Sequence, residues 1–132
     1  MLSPAVELNP APIVITDLQG SIQYVNPQFT EVTGYALDDV IGANARILRS
    51  AHTSKETIEE LWNTVQSGSV WRGLFCNTKK CGDLLWQTAF ISQQFNVNGQ
   101  PTGFVAVYED LTLKVKDALN RNTLRDTCEN QP

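Results

Sequence analysis

A chain of 132 residues with 42% hydrophobic content is long enough for one domain whose core needs neither disulfide nor metal. The net charge of −4, from 14 acidic and 10 basic residues, and the lack of any basic stripe argue against nucleic acid as a partner. No segment is apolar over a bilayer-spanning length, and Met1-Leu2-Ser3-Pro4-Ala5-Val6 has neither the charged nor the apolar region of a signal peptide, so a cytoplasmic location without direct membrane contact is expected.

Residues 1–10 read as an N-terminal cap segment. Ile13-Val14-Ile15-Thr16-Asp17 and Ser21-Ile22-Gln23-Tyr24-Val25 are β-branched runs separated by Leu18-Gln19-Gly20, which predicts a hairpin. Asn26 then suits an N-cap, Pro27 the first helical position and Gly34 a left-handed stop, so the next helix is only about two turns long. A shorter one, from Leu37-Asp38-Asp39-Val40, fits before Gly42. After a loop from Asn44 to His52, Thr53 and Glu56 have capping-box spacing, which predicts a helix starting at Thr53. Its Ile58, Leu61, Trp62 and Val65 repeat at i, i+3, i+4 and i+7, a stripe read as core rather than ligand contact, and Ser67-Gly68 ends it. Three strands follow at about 70–78, 84–94 and 102–111, joined by Lys80-Cys81-Gly82-Asp83 and by Asn98-Gly99. Beyond Asp110-Leu111-Thr112 a helix is predicted, with Leu111, Val115 and Ala118 in seam spacing that fades at Asn122 and Arg125; residues 113–132 read as helical linker and tail.

This order resembles the PAS domain family, whose members commonly read ITD-x-x-G-x-I-x-Y-x-N-x-x-F-x-x-x-TGY-x-x-x-x-x-x-G. Every fixed position is met, from Ile15, Thr16, Asp17 and Gly20 through Tyr24, Asn26 and Phe29 to Thr33, Gly34, Tyr35 and Gly42. The likeness continues through Asn44 to Arg49, Gly73, the Gly82 turn and the closing Phe104 to Thr112, roughly residues 8 to 113. It implies an α+β fold in which residues 11–112 form a five-stranded antiparallel sheet with short helices on one face, plus the N-terminal segment and a C-terminal signalling helix. The first two strands are expected centrally, beside the last. The family further implies a regulatory sensor that relays signals to a linked output domain such as a histidine kinase or cyclic-dinucleotide enzyme. Homodimerisation is expected through Val6, Leu8 and the outer sheet face that carries Trp86.

Strand alternation puts Trp71, Gly73, Phe75 and Asn77 on one face of the first of the three strands, Leu85, Gln87, Ala89 and Ile91 on one face of the next, and Phe104, Ala106 and Tyr108 on one face of the last, each taken as the side toward the helices. In this fold that face lines the ligand cavity, and two amides, Asn77 and Gln87, would be costly there without partners. A flavin matches them, because its pyrimidine edge alternates donors and acceptors while its dimethylbenzene end prefers Phe, Leu and Ile. The loop Gly42-Ala43-Asn44-Ala45-Arg46-Ile47-Leu48-Arg49 is similar to the G-x-N-C-R-F-L-Q of light-sensing LOV domains, which implies that Asn44 and Arg46 hold ribityl hydroxyls and phosphate. The LOV strand motif N-x-x-K-x-G-x-x-x-W-N is met by Asn77, Lys80, Gly82 and Trp86, with Gln87 in place of the second Asn. Ala45 stands where LOV domains carry the photoactive cysteine, and Tyr108 replaces their glutamine, so adduct photochemistry is excluded. Closer is the resemblance to NifL-like redox-sensing PAS domains, seen in Leu61-Trp62, Trp71, Gly73 and Asn77, which implies FAD with Trp71 near the ring. The expected cofactor is thus FAD, with FMN or none as alternatives, held by Asn44, Arg46, Trp71, Phe75, Asn77, Gln87 and Tyr108. A redox or oxygen sensor is the leading reading, in which a neighbouring amide such as Gln87 reorients on reduction; a cofactor-free dimerisation and relay module is its rival.

Cys76, Cys81 and Cys128 form no C-x-x-C pair and have only His52 for company, so free thiols are expected, with Cys81 exposed, and no zinc site. His52 lies in a loop, which argues for a solvated histidine over a haem ligand. There is no G-x-S-x-G and no Walker loop, and Asp38-Asp39 and Glu59-Glu60 read as solvated, so no enzymatic activity is expected.

Overall fold

The β-branched runs build the sheet, and their burial tells where each strand sits. The structure, a computed structural model, describes residues 4–111. The elements are α1 (Pro4–Glu7), β1 (Ile13–Asp17), β2 (Ile22–Val25), α2 (Pro27–Thr33), α3 (Leu37–Val40), a 3-10 helix (Ala45–Leu48), α4 (Lys55–Gln66), β3 (Trp71–Thr78), β4 (Leu84–Phe95) and β5 (Pro101–Asp110). The expected terminal helix and Cys128 lie outside the described residues.

All five strands form one antiparallel sheet in the order β2-β1-β5-β4-β3. Ile13, Val14 and Ile15 are buried in succession, as a central strand covered on both faces should be. The central place expected for the first two strands is therefore right for β1 only; β2 is an edge strand, since β5 pairs with β1 directly. That pairing brings Gly103 against β1 so closely that a Cβ would stand 1.8 Å from the Thr16 carbonyl oxygen.

The short helices begin and end as their residues dictate. Asn26 Oδ1 accepts from Phe29 N–H at 3.0 Å, capping α2, and Gly34 closes it at φ 84° with its N–H on the Thr30 carbonyl. On α3 the Asp39 carboxylate accepts from Ala36 N–H at 2.8 Å and from Lys80 Nζ at 3.1 Å. These bonds, the backbone one foremost, hold Asp39 below the usual carboxylate range, so it is not the merely solvated group expected.

Helix α4 starts one residue later than the capping-box spacing predicts. Ser54 is its N-cap and accepts from Thr57 N–H at 3.1 Å, while the Thr53 hydroxyl bonds the Cys76 backbone on β3 in both directions, each at 3.0 Å. Leu61 and Val65 pack into a core shared with Val14, Ile22, Val25, Phe29 and Phe75 between helices and sheet. Cys76 is buried and free, whereas Cys81 is disulfide-bonded, against the free thiol expected there. Among the described residues no helix is long and apolar enough to cross a membrane.

Candidate functional site

A cavity of about 300 Å³ lies between the inner sheet face and the helices, at the lower end of the size range of ligand pockets. The segment that follows α3 roofs it from one sheet edge to the other. Asn44 bridges to Ser21 beside β2, the 3-10 helix crosses, and Arg49 bridges to Asn77 at the β3 edge. Apolar walls come from Val14, Ile58, Leu61, Phe75, Ile91 and Phe104.

Of the expected site residues, Asn44, Arg46, Phe75, Asn77 and Tyr108 line the cavity. The Asn44 amide is also used by the fold: Oδ1 accepts from Arg46 N–H at 3.0 Å, and Nδ2 donates to the Gln19 carbonyl at 3.0 Å. Arg46 and Arg49 both stand on the cavity, and neither guanidinium has a hydrogen-bond or ion-pair partner among the described residues.

Gln87 and Trp71 are not part of the lining. Gln87, fully buried on β4, lies outside the lining and accepts from Asn77 Nδ2 through its Oε1 at 2.9 Å. Its Nε2 has no partner, although burial makes an unpaired amide donor costly. Trp71 donates its indole N–H to Glu60 on α4 at 2.9 Å and meets Phe75 edge-on, with centroids 5.8 Å apart. A Cβ at Gly73 would fall 2.4 Å from the Trp71 ring, so the W-x-G spacing serves to lay that ring along the strand. Trp71 thus sits behind Phe75 as support for the wall.

Tyr108 is buried, and that burial pushes its phenol up to about 12, a shift opposed by a hydrogen bond from Asn77. Its raised folded value means that the contribution of the neutral phenol is fully present below pH 10.0, the unfolded value, and is lost as pH rises toward about 12. Tyr108→Phe is accordingly expected to flatten the loss of stability between those values in alkaline unfolding curves. An unchanged alkaline slope would count against the buried phenol as its source.

Several wall residues were not among the expected site residues. Ile58, Leu61 and Trp62 line the cavity instead of serving the core alone, and Trp62 stands edge-on to Phe104 at 5.2 Å. Gln19 and Arg49 also reach it. For Arg49 the available signal was its clustering with Arg46 and His52 in one loop, a pattern that fits a phosphate or an ordinary surface loop. His52 is carried past the β3 edge to the Trp86 ring, 6.2 Å away between centroids, and has no place on the cavity. Among the described residues no cluster of His, Cys, Asp and Glu could hold a metal ion.

The set of groups fits a planar heterocycle with polar and apolar ends: a buried amide donor lacking an acceptor, a second amide and a phenol beside it, and apolar side chains on the remaining wall. Two cationic side chains on the lining, Arg46 and Arg49, suit an anionic tail.

Known proteins agree with this architecture. The chain is 32% identical over 108 residues to a nitrogen fixation regulatory protein of Klebsiella oxytoca, covering 82% of this chain and 22% of that one. It is 30% identical over 126 residues to a blue-light-activated histidine kinase of Brucella anthropi, covering 93% and 26%. The chain therefore spans about a quarter of the length of these curated relatives. A solved Light-Oxygen-Voltage domain, studied with a flavin analogue, superposes with a TM-score of 0.74 at 25% identity, covering 89% of this chain and 90% of that one. The family model of the PAS fold matches residues 1–111, and the chain belongs to that family of sensory domains.

Proposed function

We propose that this PAS domain binds FAD in its cavity and relays redox or oxygen state to a linked output domain such as a histidine kinase or cyclic-dinucleotide enzyme, on the cytoplasmic side. The observation that carries the cofactor is the buried Gln87 Nε2, a donor with no acceptor, held beside the Asn77 amide of the cavity wall. A flavin pyrimidine edge offers the missing carbonyl oxygen once the Gln87 side chain, which lies outside the lining, turns toward the cavity. In this reading Asn77, Gln87 and Tyr108 hold the polar edge, Phe75 and Ile91 meet the apolar end, and Asn44 and Arg46 receive the ribityl and phosphate groups. Trp71 acts through Phe75. Bound flavin supplies a change of charge and protonation on reduction, and the amide pair registers it by altering its hydrogen bonds to the sheet. The relatives support a sensory role, as one is named a regulatory protein and one a light-activated histidine kinase.

Purified protein is expected to be yellow and to release FAD on denaturation. Asn77→Ala and Gln87→Leu should each weaken flavin binding by about tenfold, the worth of one well-made buried hydrogen bond. Colourless protein that takes up no flavin on incubation with FAD overturns the reading; bound flavin indifferent to both substitutions overturns the pocket assignment.

A cofactor-free relay module is the second reading, favoured by the internal use of Asn44 and by the Glu60 partner of Trp71. In either case dimerisation is assigned to Val6, Leu8 and the outer sheet face with Trp86; Leu8 is 78% exposed.

A further inference from the structure

Arg46 lies within the 3-10 turn Ala45–Leu48, and Arg49 is its C-cap, with extended backbone and its N–H on the Arg46 carbonyl. Both line the cavity, and neither guanidinium has a partner among the described residues. Arg46 is exposed, so water can satisfy it. Arg49 is half-buried, and its backbone bridges to Asn77 on β3, while the Arg46 N–H donates to Asn44 Oδ1. Neither guanidinium is used by the fold among the described residues, and the net charge of −4 shows no general surplus of cations.

One phosphate monoester can be met by a single forked guanidinium. Two guanidiniums on the lining of one cavity, neither with a partner among the described residues, match two linked phosphates better than one. The loop's likeness to LOV domains departs at this very position, where Arg49 stands in place of glutamine.

We propose that Arg49 is a specificity-determining residue for the pyrophosphate of the ligand, so that the cavity selects FAD over FMN while Arg46 serves the phosphate common to both. The proposal rests on the flavin reading of the cavity. Arg49 contributes no side-chain bond to the fold, so its replacement leaves the folded state intact and changes the ligand preference.

The test is titration of apoprotein with FAD, FMN and riboflavin, followed by flavin fluorescence, for the unaltered chain, Arg46→Gln and Arg49→Gln. Arg49→Gln is expected to weaken FAD about tenfold and FMN less than about twofold, since hydrogen bonds to charged groups are worth more than neutral ones. Arg46→Gln should weaken FAD and FMN alike and leave riboflavin unchanged. The preference for FAD should shrink as salt is raised, through screening of the guanidinium charges. Equal losses of FAD and FMN in Arg49→Gln overturn the specificity role while leaving flavin binding in place. Failure of all three flavins to bind overturns both the cavity reading and this proposal. Unfolding midpoints of the two variants within about 2 °C of the parent establish that binding, and not folding, was altered.

Discussion

Gly103→Ala should lower the free energy of unfolding by about 3 kcal/mol or more, a larger cost than most strand substitutions. The reason is contact, since Gly103 has no positive φ. The new Cβ would lie 1.8 Å from the Thr16 carbonyl oxygen, 2.9 Å from its carbon and 3.0 Å from Asp17 Cα, all backbone atoms that no rotamer change can clear. β1 must then move away from β5, where Thr16 pairs with Phe104 and Asp17 with Gly103. Because this is the end of the ladder, the strand can splay without losing every pairing, which keeps the cost finite. Urea unfolding with an unchanged m-value measures it, and a loss under about 1 kcal/mol would contradict the close approach.

Asn26→Ala is expected to cost a similar ~3 kcal/mol, by a different route. The Asn26 amide is wholly buried and fully used. Oδ1 accepts from Phe29 N–H at 3.0 Å and Ile13 N–H at 2.9 Å; Nδ2 donates to the carbonyls of Val6 at 3.1 Å and Ala11 at 2.9 Å. One side chain thus caps α2, satisfies the start of β1 and ties down the segment that follows α1. Alanine removes all four bonds and leaves the Ile13 N–H and the Ala11 carbonyl without a partner, while Phe29 N–H and the Val6 carbonyl keep only a backbone bond each, to the Asn26 carbonyl and from Asn9 N–H. Asn26→Asp separates the contributions: it keeps both accepted bonds but loses both donated ones, and should also destabilise strongly because its charge has no cation beside it. If Asn26→Ala unfolds within about 0.5 kcal/mol of the parent, the network does not carry the weight given it here.

The parts of the chain legible in sequence are those where the deciding interaction is local. Asn26, Pro27 and Gly34 mark α2 through bonds spanning a few residues, and the strand limits differ from expectation by one residue at an end. Thr53 misled because its hydroxyl is drawn to Cys76, 23 residues away, leaving Ser54 to cap α4. The edge position of β2 was hidden for a like reason, since hairpin patterns reveal which strands are adjacent in sequence and not where β5 inserts.

The same division holds at the cavity. Inward-facing Phe75, Asn77 and Tyr108 follow from alternation alone. Whether Ile58, Leu61 and Trp62 touch core or cavity cannot follow from an apolar stripe, because both demand the same residues. Trp71 and Gln87 share the inward face and still miss the cavity lining; one is turned to Glu60 and the other is bonded to Asn77 one strand away.

The roof over the cavity has a further consequence, for the behaviour of the molecule in a crowded solution. An edge strand offers unpaired N–H and C=O groups to any other strand that drifts by. Here the segment from Gly42 to Ala45 exchanges backbone bonds with Gly20 and Ile22 along β2, and the segment from Ser50 to Thr53 takes up the Cys76 groups on β3. Both exposed borders of the sheet are therefore blunted by the one stretch of chain that covers the ligand site. Shortening that stretch would uncover sticky borders as well as the cavity, so tolerance to deletion there is limited by aggregation even where binding is not required.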